Sequence, residues 1–133
     1  MRKILIDTSA YSRLMRGNTD VLEMLGRADR VYMSIFVVAE LNVGFKGGSK
    51  EPQNRNLLEQ FLSRPTVRTV PATRETAEVF AEIKHTLREA GTPLPINDIW
   101  IAAHTVETGS VLVTFDAHFR KIPGLRVWDT IRR

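Results

Sequence analysis

Arg2-Lys3-Ile4-Leu5-Ile6-Asp7-Thr8-Ser9 opens the chain with an aliphatic run that shows no polar alternation and stops on an acid and two hydroxyls. A strand covered on both faces reads this way, because its side chains meet protein on whichever side of the sheet they point. Such strands belong to parallel sheets, whose neighbours must be joined by crossovers, usually helical. The sequence beyond Ser9 supplies them. Tyr11, Leu14 and Met15 recur at helical spacing up to Gly17, and Asn18 is placed to cap a second helix carrying Val21, Leu22 and Leu25. Val31 to Ser34 reads as a second strand, with Ser34 capping a helix from Ile35 to about Phe45 that carries Glu40. Gly44 to Lys50 is a helix-to-helix connection, and Pro52 restarts a helix presenting Leu57, Leu58, Phe61 and Leu62.

Thr66 to Val70 is a third strand. A long amphipathic helix follows through Ala77, Phe80, Ile83, Leu87 and Ala90, closed by Gly91 and Pro93. The next helix starts near Pro95, passes Asn97 and Asp98, and ends at Gly109. It hands over to the strand Val111 to Phe115, then Asp116, a short helical turn with His118 and Phe119, and a last strand from Leu125 to Trp128. Strands alternating with helices predict an α/β fold with a mainly parallel sheet and right-handed crossovers. If three strands wind one way and two return, strands one and four become neighbours where the order reverses, and α/β sheets gather their sites there. Asp7 and Asp116 then stand side by side.

The 133 residues suit one domain spanning 1–133, with 43% apolar and 26% charged residues, the balance of a folded soluble chain. The longest apolar runs fall far short of the ~20 residues of a membrane-spanning helix, and no signal-peptide core is present, so a cytoplasmic location without membrane contact is expected. Without cysteine there is no disulfide and no thiolate metal site. Any metal must be held by oxygen or imidazole.

Asp7 and Asp116 each follow a strand, while Glu40 and Asp98 lie in early turns of helices that begin near the same sheet edge. Four carboxylates in one place repel one another, and a divalent cation relieves them. Oxygen-only ligation suits Mg²⁺, with Mn²⁺ as a substitute, and such sites hydrolyse phosphodiesters. The chain is basic, +4 overall, and setting these four acids aside leaves nineteen basic residues against eleven acidic ones. A basic surface around an acidic, cation-binding pocket suits a nucleic-acid backbone.

Taken singly, each acid has a plainer reading. Asp7-Thr8-Ser9 could be a strand-ending turn with a helix cap, Asp98 a first-turn acid favoured by the helix dipole, and Asp116 a turn residue. Gly44 to Lys50 lacks the Gly-Lys-Ser/Thr ending and preceding strand of a phosphate loop. His85 and His104 read as helix-surface or interface residues, and His118 as a residue within reach of substrate. Arg120-Lys121 and Arg132-Arg133 read as solvated charge, or as phosphate contacts. Ile99, Trp100 and Ile101 point ~100° apart, so they cannot all face one sheet. A homodimer contact covers them, or else the helix is central and covered on two sides.

Ile4-Leu5-Ile6-Asp7-Thr8-Ser9, Ser34 with Val38-Ala39-Glu40-Leu41, Asn97-Asp98 with Ile101-Ala102-Ala103, and Thr114-Phe115-Asp116 together resemble a PIN-domain ribonuclease of the VapC toxin type. The match in order and spacing runs nearly the whole chain. The resemblance implies a PIN-like three-layer α/β domain with a five-stranded, mainly parallel sheet flanked by helices. It implies a Mg²⁺-dependent endoribonuclease acting on RNA, a homodimer, and a cognate antitoxin that blocks the site. Asp7, Glu40, Asp98 and Asp116 would be the catalytic metal-binding acids, with Thr8, Ser9, Asn97 and Thr114 as polar supports. By the same resemblance, an apolar groove formed by Phe45, Leu57, Leu58, Phe61 and Leu62 would receive an antitoxin helix, although ordinary core packing produces the same pattern. Two other classes stay open: a non-cleaving RNA-binding or regulatory module, and a metal-dependent phosphatase. The latter wants a second acid two residues after the nucleophile, where this chain has Ser9.

Overall fold

In a computed structural model of the protein, residues 1–128 are described. The strands are β1 (Lys3–Ile6), β2 (Arg30–Ser34), β3 (Val67–Val70), β4 (Val111–Val113) and β5 (Val127–Trp128). They form one sheet in the order β3-β2-β1-β4-β5, and each of its pairings is parallel. Strand order therefore reverses between β1 and β4, as the acidic pattern requires. Leu5 lies between Tyr32 of β2 and Leu112 of β4, at the centre of the sheet. Ile4, Leu5 and Ile6 are wholly buried, which is why this strand needs no polar side.

Six helices flank the sheet: α1 (Thr8–Met15), α2 (Thr19–Arg27), α3 (Ile35–Phe45), α4 (Glu51–Leu62), α5 (Arg74–Ala90) and α6 (Ile96–Thr108). Their ends follow local chemistry. The Asn18 side chain accepts from Val21 N at 3.0 Å, and Ser34 Oγ accepts from Phe36 N at 3.1 Å. Thr73 and Thr76 form a reciprocal capping box, so α5 begins three residues before the first apolar position, Ala77. Gly91 and Gly109 end α5 and α6 with φ of 68°, a left-handed conformation that costs glycine nothing. Lys46 to Lys50 connects α3 to α4, as expected of the glycine-rich stretch.

Four expectations are corrected. β4 ends at Val113 rather than Phe115, because Thr114 and Phe115 leave the ladder to make hydrogen bonds described below. β5 begins at Val127 rather than Leu125, whose N–H donates to Ile122 O at 3.4 Å and holds a turn. The Ile99-Trp100-Ile101 run is covered within the chain: Ile99 and Ile101 are buried, and Trp100 stacks between Phe36 of α3 at 5.0 Å and Phe80 of α5 at 4.0 Å. That run thus gives no reason for a second copy. His104 is fully buried rather than at the helix surface. His85 is exposed, 3.6 Å from Glu89, and the Arg132-Arg133 tail lies outside the described residues.

His104 ties three elements together. Pro71 O, 3.0 Å from Nε2, can only accept, so Nε2 carries the proton and Nδ1 accepts from Ser34 Oγ at 2.7 Å. This is the neutral imidazole, and burial holds its pKa below the usual 6.5 against opposing effects of Pro71 O and Glu107. The folded-state value is depressed, so the associated stability is complete above about pH 6.5 and is lost as pH falls through the folded-state pKa. The urea midpoint of the wild type is expected to drop between pH 7 and pH 5 more steeply than that of His104→Gln. Parallel curves would show that this imidazole does not titrate with unfolding.

Candidate active site

Asp7 leaves β1 and caps α1: its Oδ1 accepts from Ala10 N at 2.9 Å and from Ser9 Oγ at 2.7 Å. Its Oδ2 accepts from Thr114 Oγ1 at 2.5 Å, across the switch point from the end of β4. The same Ser9 oxygen accepts from Phe115 N at 3.0 Å, and Thr114 Oγ1 accepts from Asp116 N at 3.0 Å. These bonds replace the strand ladder beyond Val113. Asp7 is only 4% exposed, and burial, its largest influence, raises its pKa; the three donors pull the other way and nearby Asp116 adds to the rise.

Glu40 projects from the second turn of α3, and Thr8 at the start of α1 donates its hydroxyl to Glu40 Oε1. Asp98 lies in the first turn of α6. Its carboxyl is pushed up to about 6, first by burial, then by the charges of Asp116 and Glu40, with His118 opposing and Asp7 adding a smaller push. Asp116 caps the 3-10 helix Ala117–Lys121 by accepting from His118 N at 2.9 Å. His118 Nδ1 stands 3.1 Å from Asp116 Oδ1.

The four expected carboxylates line one open cleft of about 440 Å³. Thr8 and Ser9 line it too, and buried Thr114 braces Asp7 from behind. Asn97 is not among the residues lining it: one residue before Asp98 on α6, it is rotated by ~100° and cannot share that direction. Within the cleft a tighter group stands out, since ligating atoms of Asp98, Asp116 and His118 all lie within 4.8 Å of one another. Four carboxylates, with one imidazole at their edge, thus offer mostly hard oxygen ligands, a donor set that fits Mg²⁺ or Mn²⁺.

Ser12, Arg13 and Arg16 also face the cleft, and the sequence reading missed them. Their spacing is the available signal, because residues 9, 12, 13 and 16 share one face of α1 and Ser9 is already in the site. The Arg13 guanidinium rests over the Phe115 ring, 4.3 Å from its centroid, which keeps a cation at the acidic rim, and among the described residues no carboxylate pairs with it. The expected apolar groove changes membership: Phe45 and Leu57 line a cavity beside the cleft, whereas Leu58 and Phe61 are buried in the core, Phe61 edge-on to Tyr11 at 5.4 Å.

The chain resembles known proteins in sequence and fold. The PIN domain family matches residues 4–125. Ribonuclease VapC2 of Rickettsia felis is 31% identical over 111 residues, 81% of either chain, and Ribonuclease VapC2 of Haemophilus influenzae is 31% identical over 131 residues, 95% of this chain and 96% of that one. Among solved structures, DNA-bound VapBC from Salmonella typhimurium contains a chain that superposes with a TM-score of 0.85 at 25% identity, covering 97% of this chain and 98% of that one. VapBC-1 from nontypeable Haemophilus influenzae gives a TM-score of 0.85 at 26% identity, covering 96% and 97%. With this fold, strand order and near full-length match, the chain belongs to the PIN-domain family, alongside its VapC members.

Proposed function

We propose that this protein is a cytoplasmic, metal-dependent endoribonuclease, one nuclease domain over residues 1–133, acting as the toxin of a toxin–antitoxin pair. The observation that carries the reading is the cleft of four carboxylates, Asp7, Glu40, Asp98 and Asp116, in a chain whose remaining residues are strongly basic. Relatives named ribonucleases and neighbours solved as VapBC complexes support the activity and the antitoxin partner. These four acids would hold Mg²⁺, or Mn²⁺ in its place, with His118 beside Asp98 and Asp116. The cation would supply an activated water and stabilise the charge that develops on the leaving oxygen, giving a 5′-phosphate and a 3′-hydroxyl.

The chain's own groups prepare that chemistry. Ser9, Ala10 and Thr114 hold both oxygens of Asp7, and Thr8 fixes one oxygen of Glu40, so neither carboxylate must reorient when the charge of the phosphate arrives. Asp98, with its carboxyl pushed up to about 6, must give up a proton for a cation to bind at or below that pH, so binding should weaken on acidification. Arg13 and Arg16 offer guanidinium groups to the RNA backbone at the rim. A homodimer belongs to the same proposal, its surface being the apolar groove between α5 and α6, where Val106 is exposed beside Ile83 and Ile122.

Labelled RNA should be cut internally in millimolar Mg²⁺ or Mn²⁺ and left intact in excess chelator; cleavage undiminished by chelation, with contaminating nuclease excluded, would sink the metal reading. Asp98→Asn provides a test without turnover. The raised pKa of Asp98 means that its contribution to stability is favourable below 3.8 and is lost as pH rises through about 6. In chelator at pH 7 the variant should therefore melt above wild type, and the gap should close as pH falls below 5. Millimolar Mg²⁺ should reverse the order, since wild type gains stability with the logarithm of cation over its dissociation constant and the variant gains little. A metal-independent loss of stability with retained cleavage would remove Asp98 from the site. Light scattering should give twice 15.1 kDa at micromolar concentration, whereas a 15.1 kDa particle would reject the dimer.

A further inference from the structure

The ligands of the cleft differ from one end to the other. At the buried end Ser9, Ala10 and Thr114 take up both oxygens of Asp7, and Thr8 holds one oxygen of Glu40. At the open end Asp98 projects from α6, and among the described residues no hydrogen-bond donor engages its carboxylate. There Asp98, Asp116 and His118 each bring one ligating atom within 4.8 Å of the other two. His118 supplies the nitrogen. Its backbone N–H donates to Asp116 Oδ1 at 2.9 Å, and its Nδ1 stands 3.1 Å from the same oxygen. A hydrogen bond accounts for that second contact, yet not for Asp98, which comes from another element and brings a second carboxylate to the same ring. One proton can bridge the ring to one of them; a cation can take all three groups. Neighbouring ligands of an octahedral ion with bonds of ~2.1 Å are ~3.0 Å apart, close to the 3.1 Å seen here. The fold makes no other demand on this ring: its side chain is 57% exposed, and it takes no further hydrogen bond or ring contact among the described residues.

We propose that His118 is a nitrogen ligand of the cation, alongside Asp98 and Asp116, and that it makes the site favour first-row transition ions such as Mn²⁺ over Mg²⁺. The inference rests on the metal-dependent reading above and adds to it a ligand and a preference. Carboxylates alone serve Mg²⁺ and Mn²⁺ alike. An imidazole separates them, because Mg²⁺ keeps to oxygen and gives up its waters reluctantly, whereas first-row ions bind mixed nitrogen and oxygen sites with affinity rising from Mn²⁺ to Co²⁺. His118 is also the exposed member of the trio, so its ring can turn onto an arriving ion while the two carboxylates stay in place.

The test needs no turnover. Mn²⁺ is titrated into the tag-free full-length protein without RNA, binding is followed by loss of the free-ion electron spin resonance signal, and the pulsed spectrum of the bound ion is searched for coupling to nitrogen. Mg²⁺ is measured by competition against Mn²⁺. Wild type should show imidazole nitrogen on the bound Mn²⁺ and hold that ion more tightly than Mg²⁺. His118→Ala should lose the nitrogen signal and weaken Mn²⁺ binding by at least the roughly tenfold that loss of a supporting group behind a ligand costs, Co²⁺ by more, and Mg²⁺ by far less. His118→Gln, whose amide offers an oxygen, should likewise lose the nitrogen signal. In chelator both variants should melt as wild type does, since the exposed ring supports nothing else in the fold. Bound Mn²⁺ without nitrogen coupling in wild type overturns the proposal. So does an equal loss of Mn²⁺ and Mg²⁺ affinity in His118→Ala, which would place the ring behind Asp116 as a support rather than on the ion. A wild type that takes up no divalent ion at millimolar concentration fails the metal reading itself, so the two failures are told apart.

Discussion

A carboxylate buried to 4% exposure, Asp7, survives because three donors from two distant parts of the chain close around it. Ala10 N and Ser9 Oγ come from the helix that Asp7 begins, and Thr114 follows directly on the end of β4. The site and the switch point of the sheet are therefore one structure. If β1 and β4 were not neighbours, Thr114 would not reach Asp7, and an unsolvated anion would be left at the centre of the sheet edge. Strand order is enforced here by polar chemistry as well as by burial of Ile4, Leu5 and Ile6.

The other acids are held at graded depth. Glu40 takes one hydroxyl donor, from Thr8, whereas Asp98 and Asp116 reach toward the open side with His118. Asp98 carries the largest part of the strain among the four: burial first, and then the charges of Asp116 and Glu40, lift its carboxyl to about 6. Outside the cleft the charge reverses sign. On the proposed reading, a polyanion would be drawn to the surface by the arginines and lysines and would meet like charge at the centre unless a cation were in place.

Period and punctuation made the strand order and the helices legible, since buried parallel strands read as aliphatic runs and Gly91, Gly109, Ser34 and Asn18 mark ends that the structure uses. The acids were harder for a physical reason. Asp7 and Asp116 do serve as caps, so the plain local reading of each is also correct; their shared location, not their individual chemistry, distinguishes them. Thr114 and Phe115 look like strand because their side chains favour it, yet their hydrogen bonds go to Asp7 and Ser9, more than a hundred positions away. His104 pairs with Ser34 and Pro71, 70 and 33 positions distant, and nothing in its own helix announces them. Arg13 and Arg16 sit on an exposed helix edge that reads as ordinary solvated charge.

The double duty of the capping acids bears on how a catalytically dead protein should be made for binding and co-crystallisation work. Truncating Asp7 to alanine would strip the first turn of α1 of its acceptor, leave Thr114 and Ser9 without a partner, and free the chain after Val113. What such a protein failed to bind would say as much about a loosened switch point as about a missing charge. Among the described residues, Glu40 takes its side-chain hydrogen bond from Thr8 and caps no helix. An amide at that position keeps an acceptor for Thr8 while removing the negative charge, so Glu40→Gln is the cleaner decoy with which to trap substrate or partner on an otherwise native surface.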